Sequence, residues 1–119
     1  MTKAIIYGIP NCDTVKKTFT WFNKNKIPFQ FHNYKTDGIT AAELKAWCTI
    51  SNWEILLNKK STTWKNIDAA RQATITTKAA AIKLMQENTS IIKRPVVEIN
   101  GTILVGFNEA IYEKECLEK

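Results

Sequence analysis

The stretch Tyr7-Gly8-Ile9-Pro10-Asn11-Cys12-Asp13-Thr14 constrains this chain more than any other, because it joins an apolar run to an amphipathic one through a single tight loop. Ala4, Ile5, Ile6 and Tyr7 favour a strand, and Gly8 and Pro10 break the extended pattern directly after it. Val15, Phe19 and Phe22 then recur at i, i+4 and i+7, while Lys16, Lys17, Thr20, Asn23 and Lys24 fall elsewhere around the turn. That spacing predicts a helix buried along one stripe, beginning at or beside Cys12. A sulfur at a helix start meets unpaired backbone N–H groups and the positive end of the helix dipole, both of which favour the thiolate and so a nucleophile. The alternative for a lone cysteine is a small apolar packing element.

The next elements give the loop a place in a sheet. Lys24, Asn25 and Lys26 supply a basic last turn, with Asn25 as the expected left-handed stop, and Pro28 starts a new element. Phe29, Gln30, Phe31, His32, Asn33 and Tyr34 alternate as a second strand. Strand, helix and strand in this order predict a βαβ unit with parallel strands and a right-handed crossover. Cys12 then lies at the carboxyl end of the first strand, where open α/β sheets bind ligands. His32, the one histidine, reads as a packed or surface side chain outside the site.

Residues 40 to 88 read as a helical block. Thr40-Ala41-Ala42-Glu43 is a capping box opening a helix with Leu44, Trp47 and Cys48, and Ser51-Asn52-Trp53-Glu54 reads as a second box, so the two helices should form a hairpin. Lys35-Thr36-Asp37-Gly38 and Asn58 to Thr63 read as loops, and Asp68 to Asn88 as helix through Ile75, Ala79, Ile82, Leu84 and Met85. Val96 to Ile99, Asn100-Gly101 and Thr102 to Val105 form a hairpin signal, since a type I′ turn needs positive φ at both central residues. A helix from Glu109 to Leu117 follows. Cys48 and Cys116 read as core, and Pro95 as either a cis proline beside a ligand or a trans proline at a strand start.

Composition narrows the class. At 119 residues the chain is expected to be a single domain over 1–119. No apolar run approaches a membrane span, and Met1 to Tyr7 lacks the features of a secretory signal, so a cytoplasmic protein is expected. Three cysteines at 12, 48 and 116 form neither a disulfide framework nor a metal-binding spacing, which speaks against a metal site. The formal charge of +6 is dispersed along the chain, with no basic face interleaved with aromatics, which speaks against nucleic acid as a partner.

The motifs together resemble the arsenate reductase/Spx family of bacterial proteins with a thioredoxin-like fold, and within it the YffB-like branch. The resemblance rests on Tyr7 to Lys17, on His32-Asn33-Tyr34 with Asp37-Gly38, on Leu56-Leu57-Asn58 with Thr62-Thr63-Trp64, on Ile91 to Val96, and on Val105-Gly106-Phe107. It implies an α/β fold with a mixed sheet, a βαβ unit followed by a β-hairpin and helix, and a helical insertion at about residues 40–88. It also implies a nucleophilic Cys12, an oxyanion-binding Arg94 and a cis Pro95. Asn11, Asp13, Thr14, Lys60 and Pro95 are expected to bind substrate, with backbone N–H groups after the cysteine and the arginine fork holding an anion.

In the arsenate reductases of this family the thiolate attacks arsenate, glutathione attacks the cysteine-bound arsenic, and glutaredoxin completes reduction to arsenite. The resemblance therefore implies no bound cofactor, glutathione as co-substrate and glutaredoxin as a partner. Three positions depart from those enzymes: Gly8 replaces a histidine, and Lys60 and Gly106 fall where arginines are expected. Each lost charge-assisted hydrogen bond removes roughly 1.5–3 kcal/mol, so a multiply charged oxyanion should bind more weakly. Val15 stands where many Spx regulators carry a second cysteine, so a mixed disulfide on Cys12 would need an external thiol such as glutathione. Three readings follow: a thiol-dependent reductase acting on a small thiol or oxyanion substrate, a non-enzymatic Spx-like regulator docking on RNA polymerase or another protein, and a domain in which Cys12 only packs.

Overall fold

The computed structural model describes residues 4–117; the leader argument on Met1 to Tyr7 and the ends of the expected 1–119 domain reach beyond them. The chain forms two compact units. One comprises the chain up to Asp37 and again from Arg94, and the other is Gly38–Lys93, close to the expected insertion.

The first unit is built on a mixed sheet. Strand β1 (Ala4–Gly8) leads into helix α1 (Asp13–Lys24) and back to β2 (Phe29–Asn33), and the hairpin β3 (Val96–Ile99) and β4 (Thr102–Val105) completes the order β2-β1-β3-β4. β1 and β2 are parallel, with Ile6 opposite Phe31, as the βαβ reading required. β3 runs antiparallel to both β1 and β4, with Val97 between Ile6 and Leu104. The hairpin turns at Asn100 (φ 53°) and Gly101 (φ 76°), as expected. This is the α/β, thioredoxin-like arrangement that the sequence implied.

Helix α1 buries Val15, Thr18, Trp21 and Phe22, so its stripe is displaced from the expected one. Phe19 is only half-buried because it reaches sideways to β2, stacked on Phe29 at 5.3 Å and edge-on to Phe31 at 5.0 Å. The left-handed stop is Lys26 (φ 56°), not Asn25. Lys26 N–H donates to the Asn23 carbonyl and Ile27 N–H to that of Phe22, a Schellman closure, while the Asn25 amide side chain donates to the Trp21 carbonyl. Tyr34, expected in the strand, begins a short helix α2 (Tyr34–Asp37) in place of the loop at 35–38. Helix α8 (Glu109–Tyr112) follows β4 and continues as a π-helical turn over Glu113–Leu117. Ile6, Trp21, Phe22, Val97, Leu104 and Tyr112 meet in the core.

The second unit is helical. In α3 (Ala41–Ile50) the Thr40–Glu43 capping box is present in both directions. The second cap falls on Asn52, whose side chain accepts from Glu54 N–H to open α4 (Trp53–Leu56). Ser51 instead closes α3, its N–H donating to the Trp47 carbonyl at 2.8 Å. Asn58 to Thr63 is shorter as a loop than expected, since the Ser61 side chain caps α5 (Thr62–Lys65). The expected helix from Asp68 to Asn88 is two, α6 (Ala69–Gln72) and α7 (Lys78–Glu87), parted at the β-branched run Thr74 to Thr77, where Thr77 caps α7. Leu44 and Trp47 of α3 and Ile82, Leu84 and Met85 of α7 are buried, and α3 packs more extensively on α7 than on its sequence neighbour α4.

Candidate active site

Sheet register decides which loops share an end. Tyr7 lies opposite Val96, so the chain leaving β1 towards Cys12 and the chain entering β3 through Arg94 and Pro95 are at the same end of the sheet. Val105 also lies opposite Val96, which brings Gly106 to that end as well. Gly106 N–H donates to the Pro95 carbonyl at 2.8 Å. The Arg94–Pro95 peptide is cis, Pro95 is buried and Arg94 half-buried.

Cys12 is the N-cap residue of α1, with extended φ and ψ (−114°, 123°), and its carbonyl accepts the first helical bond from Lys16 N–H at 3.0 Å. Its half-buried side chain makes no capping hydrogen bond. The N–H groups of the following turn, from Asp13 and Thr14, are orphans of the helix start. Asn11 and Asp13 are exposed and Thr14 is half-buried, so the loop presents the sulfur flanked by polar groups. Inside that turn the Thr18 hydroxyl, wholly buried, donates to the Thr14 carbonyl at 2.9 Å.

Cys12, Arg94 and Pro95 are thus carried to one sheet end by β1 and β3, together with Asn11, Asp13 and Thr14. Lys60 belongs to the second unit, where its side chain is exposed and its N–H donates to the Asn58 side chain. His32 packs between Tyr7 and Tyr34, with ring centroids 4.7 and 6.2 Å away. Gly106, flagged only as a missing arginine, carries a backbone role at φ +81°. Thr18 was not singled out, although a polar residue on the Val15–Phe22 stripe is itself a signal.

Burial favours the thiol form at Cys48 and Cys116. Burial raises the Cys48 thiol, with Lys78 opposing the shift. Burial, reinforced by the Glu115 charge, pushes Cys116 up to about 11. A groove of about 780 Å³ runs along α1 from Asp13 past Lys17 and Lys24, with Phe107 and Glu109 on its other wall; neither Cys12 nor Arg94 lines it. Among the described residues no cluster of histidine, cysteine or carboxylate side chains could hold a metal ion, and no helix is long and apolar enough to cross a membrane.

A model of the ArsC family matches residues 7–115. The chain belongs to the ArsC family. Among relatives of this ArsC-family protein, an uncharacterised protein of Haemophilus influenzae is 40% identical over 108 residues, covering 91% of this chain and 94% of its own. A solved YffB protein is 41% identical with a TM-score of 0.90, over 94% of this chain and 97% of its own. An arsenate reductase-related protein of Brucella melitensis is 38% identical with a TM-score of 0.74, over 94% and 92% respectively. At lower identity, the global transcriptional regulator Spx of Streptococcus mutans is 26% identical over 102 residues, covering 84% of this chain and 73% of its own.

Proposed function

We propose that this ArsC-family protein is a cytoplasmic thiol-dependent reductase that uses Cys12 as its nucleophile and glutathione as its electron donor. The observation carrying this reading is the shared sheet end of Cys12, at the cap of α1, and Arg94, at the entry to β3. A helix start offers unpaired backbone N–H groups to an anion, and an arginine at the same sheet end brings two parallel donors for a carboxylate or oxyanion.

On a glutathionylated substrate the chemistry runs in two exchanges. The Cys12 thiolate attacks the glutathione sulfur, forming a Cys12–glutathione disulfide and releasing the substrate as a thiolate. A second glutathione thiolate then attacks that disulfide, forming glutathione disulfide and returning the Cys12 thiolate, with glutaredoxin as an alternative acceptor. Val15 stands three residues after Cys12, and burial favours the thiol form at the half-buried Cys48 and Cys116, which supports an external resolving thiol. Arsenate is a second candidate substrate by family likeness, with the loop residues Asn11, Asp13 and Thr14 as its further contacts.

The test is turnover of a glutathionylated peptide, of small disulfides and of arsenate by purified protein with glutathione, against the Cys12→Ser variant. Turnover that vanishes with Cys12→Ser is expected. Absence of Cys12-dependent turnover with all three substrates overturns the reading. The likeness to Spx favours one second reading, a regulator that docks on RNA polymerase. It requires specific retention of the polymerase that survives Cys12→Ala.

A further inference from the structure

Gly106 sits where β4 ends, in the left-handed region at φ +81°, a conformation open mainly to glycine and the least restrained kind of backbone in the chain. Yet both of its polar groups are held. Its N–H donates to the Pro95 carbonyl at 2.8 Å, and its carbonyl accepts from the Tyr112 hydroxyl at 2.6 Å. The hydroxyl is aimed by packing, because the Tyr112 ring is buried edge-on among Trp21 at 5.3 Å, Phe22 at 5.9 Å and Phe107 at 5.2 Å. Thr18, wholly buried on α1, donates its own hydroxyl to the Thr14 carbonyl at 2.9 Å.

We propose that Tyr112 is a positioning residue for the anion site, fixing Arg94 and Pro95 by pinning Gly106. It touches neither substrate nor sulfur. Its hydroxyl holds the glycine carbonyl, and the glycine N–H in turn holds the carbonyl of Pro95, the residue next to Arg94. The inference rests on the reading of Arg94 as the anion-binding group. Nothing in the sequence motif at Val105-Gly106-Phe107 conveys it, since the tyrosine arrives from α8.

Two readouts test it in the full chain: hydrogen exchange of the Gly106 amide by NMR, relative to strand amides of β3 and β4, and protection of Cys12 from iodoacetamide by arsenate. Tyr112→Phe keeps the ring and removes the hydroxyl. It should raise Gly106 exchange selectively and increase the half-protecting arsenate concentration about three- to tenfold, the worth of one hydrogen bond, with unprotected alkylation unchanged. Trp21→Phe, which loosens the same ring but keeps the hydroxyl, should leave the Gly106 ratio as it is, so that lost packing is separated from the lost bond. Unchanged Gly106 exchange or unchanged protection in Tyr112→Phe, while Arg94→Ala abolishes protection, overturns the positioning role alone. Protection indifferent to Arg94→Ala, or no protection of the wild type, removes the anion site itself and the proposal with it.

Discussion

Gly8 and Val15 meet where β1 hands over to α1: a Cβ on Gly8 would lie 2.7 Å from Val15 Cγ2. Val15 is wholly buried and β-branched, so it has no free rotamer into which to retreat. The closeness of helix to strand at the candidate site therefore depends on having no side chain at Gly8. The same contact explains the departure noted there. A histidine at this position would carry the same crowded Cβ against Val15.

Gly8→Ala should destabilise the protein by about 1–3 kcal/mol through overpacking. Urea unfolding measures it as a lowered midpoint with an unchanged slope. Adding Val15→Ala should cost less in the Gly8→Ala background than in the wild type. Equal costs in the two backgrounds would show that the two side chains do not meet.

Alkylation should separate the three cysteines. At neutral pH Cys12 is expected to react first, with Cys48 and Cys116 slow because burial keeps them as thiols. The Cys116 rate should climb only as pH approaches about 11. The stability sign follows: a group raised from 9.0 to about 11 in the folded state stabilises it fully below 9.0, and that contribution is lost as pH rises through about 11. Cys116→Ala should thus lessen the fall in melting temperature over that window.

Arg94→Ala should weaken an anionic substrate by about 10- to 100-fold, or about 1.5–3 kcal/mol for a charge-assisted hydrogen bond. Arg94→Lys should recover only part of it, since an ammonium keeps the charge and loses the parallel pair of donors. Steady-state kinetics should show the loss in KM. A change confined to kcat would argue against a role in substrate binding.

Thr40→Ala removes one side of the α3 capping box, in which Glu43 N–H donates to the Thr40 hydroxyl oxygen at 3.1 Å. A loss of about 1 kcal/mol is expected, read as a lower melting temperature. Cys12 alkylation should not change, because Thr40 lies outside the unit that carries it.

Local chemistry made much of this legible. The βαβ unit, the Asn100-Gly101 turn and the Thr40 box follow from patterns that act over a few residues, and each is present. Errors arose where neighbours compete. Ser51 closes α3 and the next residue, Asn52, caps α4, one position later than expected. Phe19 left the buried stripe because two phenylalanines of β2 offered it better contact. The approach of the Cys12 loop to Arg94 was visible only through family likeness, since it is created by pairing β1 with β3. Tyr112 was invisible for the same reason: its partner is a backbone carbonyl that no pattern announces.

The order β2-β1-β3-β4 places the first strand of the chain in the interior of its sheet. Tyr7 and Glu98, whose side chains are hydrogen bonded at 2.9 Å, stand 91 positions apart. During synthesis β1 acquires β2 early, but its other edge has no partner until the whole of Gly38–Lys93 has been made. A bare strand edge is a template for unwanted pairing, and closing so long a loop delays folding. Until β3 is made and paired, that edge of β1 is a site for unwanted pairing, so slower closure of the intervening helical unit lengthens the exposure.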